Sequence, residues 1–501
     1  MNLRFAPRLL TALMLLSMPA VGALADLQSE IDRAIAASAI RSATISVSVR
    51  DADNDQHLAH VNADTPMLPA SNMKLLTSGA ALHILGADFE FRTRMVVQGD
   101  RLIILGDGDP ALGDPELLPL IQLGERTGIT VEELINLWVQ PVAAGGVSHL
   151  SEVIVDDRIF ERQFIHDSWP RDQLNRPYCA EVSGLSFHLN TLHFYPAPTR
   201  SGVADISRFE PYLSTLDASA NRATSAQGPR DANTFAIARP LNTNKLNFYG
   251  NVKTRYTTPV DVTIHDMPQY FADLIAERLR QAGITVDSSR IAVETDPEPA
   301  GEQIGPVIRT PISTIVTRCN RDSENLYAEA LLKRAGHALV NGAQPGSWSN
   351  GASALRLAIR ERLEDDSLAE DLFIADGSGL SRDNRVTAAL LTAWLDTFHR
   401  DPDLGPIYID SLSVGGVSGT LEKRFTGFDL SGILVQGKSG YINDVSCLSG
   451  FVTTTDGRRR SFSVLINGMG GNVAAAKALQ EAVVAAIANE LLAVKEVEIG
   501  G

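Results

Sequence analysis

Cysteine is scarce in this chain: three residues, Cys179, Cys319 and Cys447, among 501. So few, and odd in number, exclude a disulfide-built scaffold and leave at least one thiol free. They read as small buried residues. No metal-ligand spacing involves them, and the ten histidines make no HxH or HExxH pattern, so no metal and no cofactor are expected. Basic charge is also short. Lys and Arg number 44 against 60 Asp and Glu, a net charge of −16, which argues against nucleic acid as a partner. Beyond the N-terminus no stretch is apolar enough to span a bilayer, so no integral membrane segment is expected in the mature protein. Internal repeats are lacking. What remains is an ordinary globular composition, 44% hydrophobic and 21% charged, in a chain long enough for two or three domains.

The N-terminus reads as an export signal. Arg4 and Arg8 form a basic region, Leu9 to Ser17 is apolar but too short to span, and Ala23-Leu24-Ala25 has the small-x-small cleavage pattern. The expected mature chain begins at Asp26 and is periplasmic; an uncleaved anchor is the competing reading.

Strand and helix signals then alternate. Leu27 to Ala37 has helical periodicity, Thr44 to Arg50 alternates as a strand, and His57 to Val61 returns as a second. A helix beginning at Ser71 should stop near Gly86. Gly99-Asp100 between Phe91–Val97 and Arg101–Leu105 marks a hairpin. The texture changes from about 112 to 290, with a helix over Thr130–Gln140, a buried strand at Val153–Val155, strands at Asn190–Tyr195 and Asn247–Thr258, loop over Ser214–Asn233 and a helix over Pro268–Gln281. Helical patterns follow at Ile312–Arg334, Ala352–Leu363 and Thr387–Phe398. Three strands, Ile433–Gly440, Ser446–Thr454 and Ser461–Ile466, precede a closing helix over Asn472–Val494. The economical arrangement is α+β: one antiparallel sheet built from both termini, terminal helices on one face, a helical subdomain beside it, and the middle of the chain inserted.

Three short patterns carry chemistry. Ser71 and Lys74 are one helical turn apart and share a face. A serine needs a base to become a nucleophile, and a lysine needs burial to become a base. Alone, the pair reads first as a cap and a solvated charge. Ser323-Glu324-Asn325 cannot share a helix face at a spacing of two, so it belongs at a loop or helix start; alone it reads as a cap. In Lys438-Ser439-Gly440, at a strand end, alternation sends Lys438 and Gly440 to one face, and the glycine lets a ligand backbone approach. Alone, Lys438 is an edge-strand lysine that opposes aggregation.

Taken in this order, the three patterns resemble the motif set of the serine β-lactamases and penicillin-binding proteins. Asp376-Gly377-Ser378-Gly379-Leu380-Ser381-Arg382, Gly415-Gly416-Val417-Ser418-Gly419-Thr420-Leu421 and Val445-Ser446-Cys447-Leu448-Ser449-Gly450-Phe451 narrow the resemblance to the class C low-molecular-mass penicillin-binding proteins, which are D-alanyl-D-alanine carboxypeptidases and endopeptidases. It spans roughly residues 30 to 490. The long interval between Ser71 and Ser323, about 250 residues, fits a family in which an inserted region of two small domains separates the first two motifs. Three positions depart from the common pattern: KSG stands for KTG, Glu324 for an aspartate, and Cys447 for an alanine. Serine keeps the hydroxyl, and none of the three removes a group the chemistry needs.

The resemblance implies a β-lactamase/transpeptidase-like α+β fold, split as 26–95 and 295–501. One inserted domain would comprise 96–190 with 250–294, and a second 191–249. It implies Ser71 as nucleophile toward a D-Ala-D-Ala bond of peptidoglycan stem peptides, Lys74 as base, and the backbone N–H groups of Ser71 and Tyr441 as oxyanion donors. Ser323 would relay a proton and Asn325 hold Lys74 and the substrate amide. Lys438 and Ser439 would bind the terminal carboxylate, and the strand through Gly440 and Tyr441 would pair with the substrate. β-Lactams would acylate Ser71 as inhibitors. Asp172, in Trp169-Pro170-Arg171-Asp172, is a candidate to bind the free amine of a diamino acid; otherwise it is a loop aspartate. A serine β-lactamase is the first alternative, disfavoured by size, by the insertion and by the lack of a deacylating Glu motif. A non-catalytic peptidoglycan-binding protein is the second, disfavoured because all three motifs are intact.

Overall fold

The computed structural model describes residues 20–363, 365–429 and 431–500. The basic and apolar parts of the export signal lie outside the described residues. Ala23 to Ala25 fall in the helix Ala20–Ala37.

Both ends of the chain meet in one six-stranded sheet. Its order is Ser413–Val414, Ile433–Ile442, Val445–Thr454, Arg459–Asn467, Thr44–Asp51 and His57–Val61. Every pairing is antiparallel, and Thr44 at the start of the N-terminal strand faces Asn467 at the end of the last. The strand Val445–Thr454 is buried along its whole length, because both faces of the sheet are covered. On one face the terminal helices pack Leu27, Ile31, Leu479 and Val483 onto Val47, Leu448 and Val464. On the other lie the helices Met73–Leu85 and Ala388–His399. Small hydroxyls pair on that second face: Ser449 Oγ with Ser463 Oγ at 2.8 Å, and Ser48 Oγ with Thr392 Oγ1 at 2.8 Å.

The interval between the first two motifs leaves and returns at one place. The hairpin Glu90–Gln98 and Arg101–Leu105 forms with its turn at Gly99-Asp100. Glu302–Pro311, which the sequence reading missed, pairs antiparallel with Glu90–Gln98, and Glu90 faces Pro311. The strands that carry the chain out and back thus begin at Glu90 and end at Pro311. The end of the Ser71 helix and the start of the helix Ile312–Arg321 are held together as a result, although far apart in sequence. The sheet continues through His149–Asp156 and Thr285–Ile291, which run parallel to Arg101–Leu105. Helices Val131–Ala144 and Met267–Gln281 cover it with a separate apolar core around Trp138 and Phe271. The expected strand Asn247–Thr258 is only Asn247–Tyr249, followed by Val260–Thr263.

The helical pattern over Ile312–Arg334 is carried by two helices, and Ser323-Glu324-Asn325 lies at the loop and helix start expected of it. Ile312–Arg321 stops, and Asn325–Leu339 begins after a three-residue break. Ser323 sits in that break with φ of 66°, a left-handed conformation costly for a residue with a Cβ. Ser323 lies in the polar run Asn320–Asn325, where the apolar pattern of the first helix stops before that of the second begins at Leu326.

Candidate active site

Ser71 lies in a single 3₁₀ turn, Ala70–Asn72, that leads into Met73–Leu85. Every residue from Met73 to Leu82 is buried, so this helix is the core of the helical subdomain. Lys74 is 0% exposed, which excludes a solvated charge. Ala70 has a positive φ of 44°. Two glycines explain what holds that strained turn. A Cβ on Gly379, itself at φ +82°, would sit 1.8 Å from the Ala70 carbonyl oxygen. A Cβ on Gly440 would come within 2.9 Å of Pro69 O and of Ser71 N. The 376–381 loop and the third-motif strand therefore press on the turn from two sides.

Lys74 Nζ donates to Ser71 Oγ at 3.1 Å, to Asn325 Oδ1 at 2.6 Å and to the Ser378 carbonyl at 2.9 Å. All three acceptors are neutral. Burial lowers the pKa of Lys74, with the carboxylates of Glu329, Asp376 and Glu324 pulling the other way. Lys438 is also fully buried. Its Nζ donates to Ser323 Oγ at 2.7 Å and to Ser439 O at 2.8 Å. Burial first, and then the charge of Lys74, push Lys438 well below the ordinary lysine value. Ser71, Ser323, Asn325 and Ser439 are half-buried, and Tyr441 is exposed.

The three motifs thus converge through two lysines. The third-motif strand pairs on one side along its whole length, whereas Ser413–Val414 pairs on the other only with Gly437 and Gln436. Among the described residues, the Lys438–Tyr441 edge beside Ser71 has no strand partner. Ser439 Oγ donates to Thr420 Oγ1 at 2.8 Å. Asp172 is exposed in the turn Arg171–Gln173. The hydrogen bond from its neighbourhood to the motifs comes from farther on, where the Tyr178 carbonyl accepts from Asn325 Nδ2 at 2.8 Å. The three cysteines are free and buried, and burial pushes each thiol up to about 12.

The chain matches the D-Ala-D-Ala carboxypeptidase 3 (S13) family over residues 27–490. It belongs to that family. Its relatives include a D-alanyl-D-alanine carboxypeptidase of Actinomadura sp. (strain R39), 30% identical over 484 residues that cover 93% of this chain and 85% of the relative. Another is the D-alanyl-D-alanine carboxypeptidase DacB of Haemophilus influenzae, 23% identical over 436 residues, 84% of each chain. The crystal structure of Haemophilus influenzae penicillin binding protein 4 has the same fold, with a TM-score of 0.69 at 20% identity over 93% of this chain and 99% of that one. The same protein complexed with a β-lactam gives a TM-score of 0.64 at 20% identity over the same shares. No helix among the described residues is long and apolar enough to cross a membrane.

Several participants in this S13 site escaped the sequence reading. The Ser378 carbonyl is a backbone atom and carries no side-chain signature. The Tyr178 carbonyl is equally silent. Thr420 belongs to the Gly415–Leu421 segment, but its hydroxyl's approach to Ser439 depends on how that loop folds. Asn72 Nδ2 donates to Ser449 Oγ at 2.6 Å and ties the Ser71 turn to the central strand. Its position beside Ser71 was the available signal.

Proposed function

We propose that this D-Ala-D-Ala carboxypeptidase of the S13 family works through an acyl-serine intermediate on Ser71, with Lys74 as the base. The observation that carries the reading is a buried lysine 3.1 Å from the serine hydroxyl with only neutral acceptors around it. Such a lysine gives up its proton far more readily than one in water.

Ser71 Oγ attacks the carbonyl carbon of the D-Ala-D-Ala peptide bond and passes its proton to Lys74 Nζ. The backbone N–H groups of Ser71 and Tyr441 stabilise the resulting oxyanion. The C–N bond then breaks, and the departing D-alanine amine takes a proton through the Ser323 hydroxyl, itself held by Lys438. Asn325 holds Lys74 and the substrate amide. Lys438 and Ser439 take the terminal carboxylate, and the free edge through Gly440 and Tyr441 pairs with the substrate backbone. Water hydrolyses the ester and restores Ser71.

The substrates in this reading are peptidoglycan stem peptides, with a terminal D-alanine or a cross-link as leaving group. Asp172 binds the free amine of the diamino acid. β-Lactams inhibit by acylating Ser71. Export to the periplasm, with cleavage after Ala25, belongs to the same proposal. So does the division into a split catalytic domain, 26–95 with 295–501, and two inserted domains, 96–190 with 250–294 and 191–249.

The test is peptide mass spectrometry after penicillin treatment, together with D-alanine release from a pentapeptide. The expected result is one adduct on the Ser71 peptide, lost in Ser71→Ala, and release that depends on Ser71. A protein that neither forms the adduct nor releases D-alanine overturns the reading.

A further inference from the structure

Two of the three acceptors of Lys74 trace back to one face of one helix. Asn325 opens the helix Asn325–Leu339 and offers Oδ1 to Lys74 directly. Glu329 stands one turn further on the same face. It is 0% exposed and does not touch Ser71 or Lys74 through a hydrogen bond. Its carboxylate accepts from Gly377 N at 2.9 Å, from Ser378 N at 2.8 Å and from Trp348 Nε1 at 2.8 Å. The residue whose N–H it holds, Ser378, turns its carbonyl to Lys74 Nζ at 2.9 Å. Across the loop, Asp376 accepts from Gly379 N at 2.9 Å, Ser381 N at 2.7 Å, Asn384 Nδ2 at 2.7 Å and Trp169 Nε1 at 2.9 Å. Two buried carboxylates so close together are costly to charge. Burial, and then the charge of Asp376, push the Glu329 carboxyl above the ordinary carboxylate value.

We propose that Glu329 is a positioning residue for acylation: it fixes the Ser378 carbonyl against Lys74. The proposal rests on the reading of Lys74 as the base. A loop that only needed packing could be held by an apolar side chain at lower desolvation cost. A carboxylate satisfies the Gly377 and Ser378 N–H groups together, and its charge also acts on Lys74. The charged or titratable groups around the pair are Asp376, Glu324, Lys438 and the Cys319 thiol, with Lys333 and its partner Glu161 on the far side. Because the Glu329 charge raises the pKa of Lys74, removing it lets Lys74 lose its proton at lower pH.

The experiment measures the acylation rate of the full-length protein by a fluorescent penicillin as a function of pH, with thermal melting of each variant alongside. Glu329→Gln keeps the shape but loses the charge and one acceptor oxygen. Its plateau rate is expected to fall on the order of tenfold through misplacement of the Ser378 carbonyl. Its acid limb should move to lower pH. Glu329→Asp keeps the charge but cannot reach both N–H groups, so its plateau falls while its acid limb stays near the wild-type position. A melted Glu329→Gln leaves Glu329→Asp to decide the matter. Either variant, folded and with wild-type plateau and acid limb, overturns the proposal. Lys74→Ala separates the two claims: if it acylates at the wild-type rate, the reading of Lys74 as the base has failed. If it is inert while the Glu329 variants match wild type, the positioning role alone has failed.

Discussion

Two fully buried lysines sit on neighbouring helices and are treated in opposite ways. Lys74 has three neutral acceptors, one of them the Ser71 hydroxyl. Lys333, on the helix Asn325–Leu339, pairs with Glu161 at 3.2 Å, donates to Gln163 O at 3.0 Å and lies 3.5 Å from the centre of the Trp348 ring. A carboxylate and an aromatic face both favour the ammonium form. Burial still lowers Lys333 to about 8, but its surroundings are built to keep the charge. Those of Lys74 supply hydrogen bonds without direct charge. Depth alone does not distinguish the two lysines; Lys74 differs in having no ion-pair partner and in lying beside the Ser71 hydroxyl, which is what the proposed base requires.

The largest effect should come from removing the proposed base. Lys74→Ala is expected to slow penicillin acylation by about 10²- to 10⁴-fold, the range that a positioned general base supplies. Lys333→Met should leave the rate near wild type. A second change makes the first pocket resemble the second. Asn325→Asp puts a carboxylate on Lys74 and should raise its pKa, with a roughly tenfold or larger loss of rate at neutral pH and an acid limb moved upward. An Asn325→Asp protein with an unshifted acid limb would break the comparison.

The insertion explains why so much of the site could be read from sequence, and why some could not. Ser71, Lys74, Ser323, Asn325 and Lys438 were legible because each motif fixes local geometry: a helical turn, a helix start, a strand end. The strands of the main sheet were legible from alternation and turn residues. Glu302–Pro311 was not, since Gly305-Pro306 interrupts a polar stretch that forms a strand only because Glu90–Gln98 is there to pair with it. The break at Ser323 was legible from spacing, since Ser323 and Asn325 cannot share a helix face. Glu329 was visible as a letter one turn after Asn325, but its role depends on the 376–381 loop, which reaches it through tertiary packing. Backbone donors and acceptors such as Ser378 N and O have no sequence signal.

Smaller effects sharpen the structural side. Lys333→Met leaves Glu161, which is partly exposed, without its partner and takes the cation from Trp348; the expected cost is about 1 to 3 kcal/mol in denaturant unfolding. Smaller still is a pH slope. Because folding lowers Lys333 from 10.5 to about 8, the unfolded chain binds more protons between those values, and this lysine's contribution makes stability rise with pH across that window. In Lys333→Met that part of the slope should vanish. A slope identical to wild type would show that Lys333 keeps its proton throughout.

The central claim is that Lys74 works as a neutral base. The pH dependence of wild-type Ser71 acylation by a fluorescent penicillin tests it most directly. The account predicts a rate that climbs with one ionisation whose midpoint lies below the ordinary lysine value of 10.5. A rate that climbs only near that value, or that does not change between acid and alkaline solution, would contradict it.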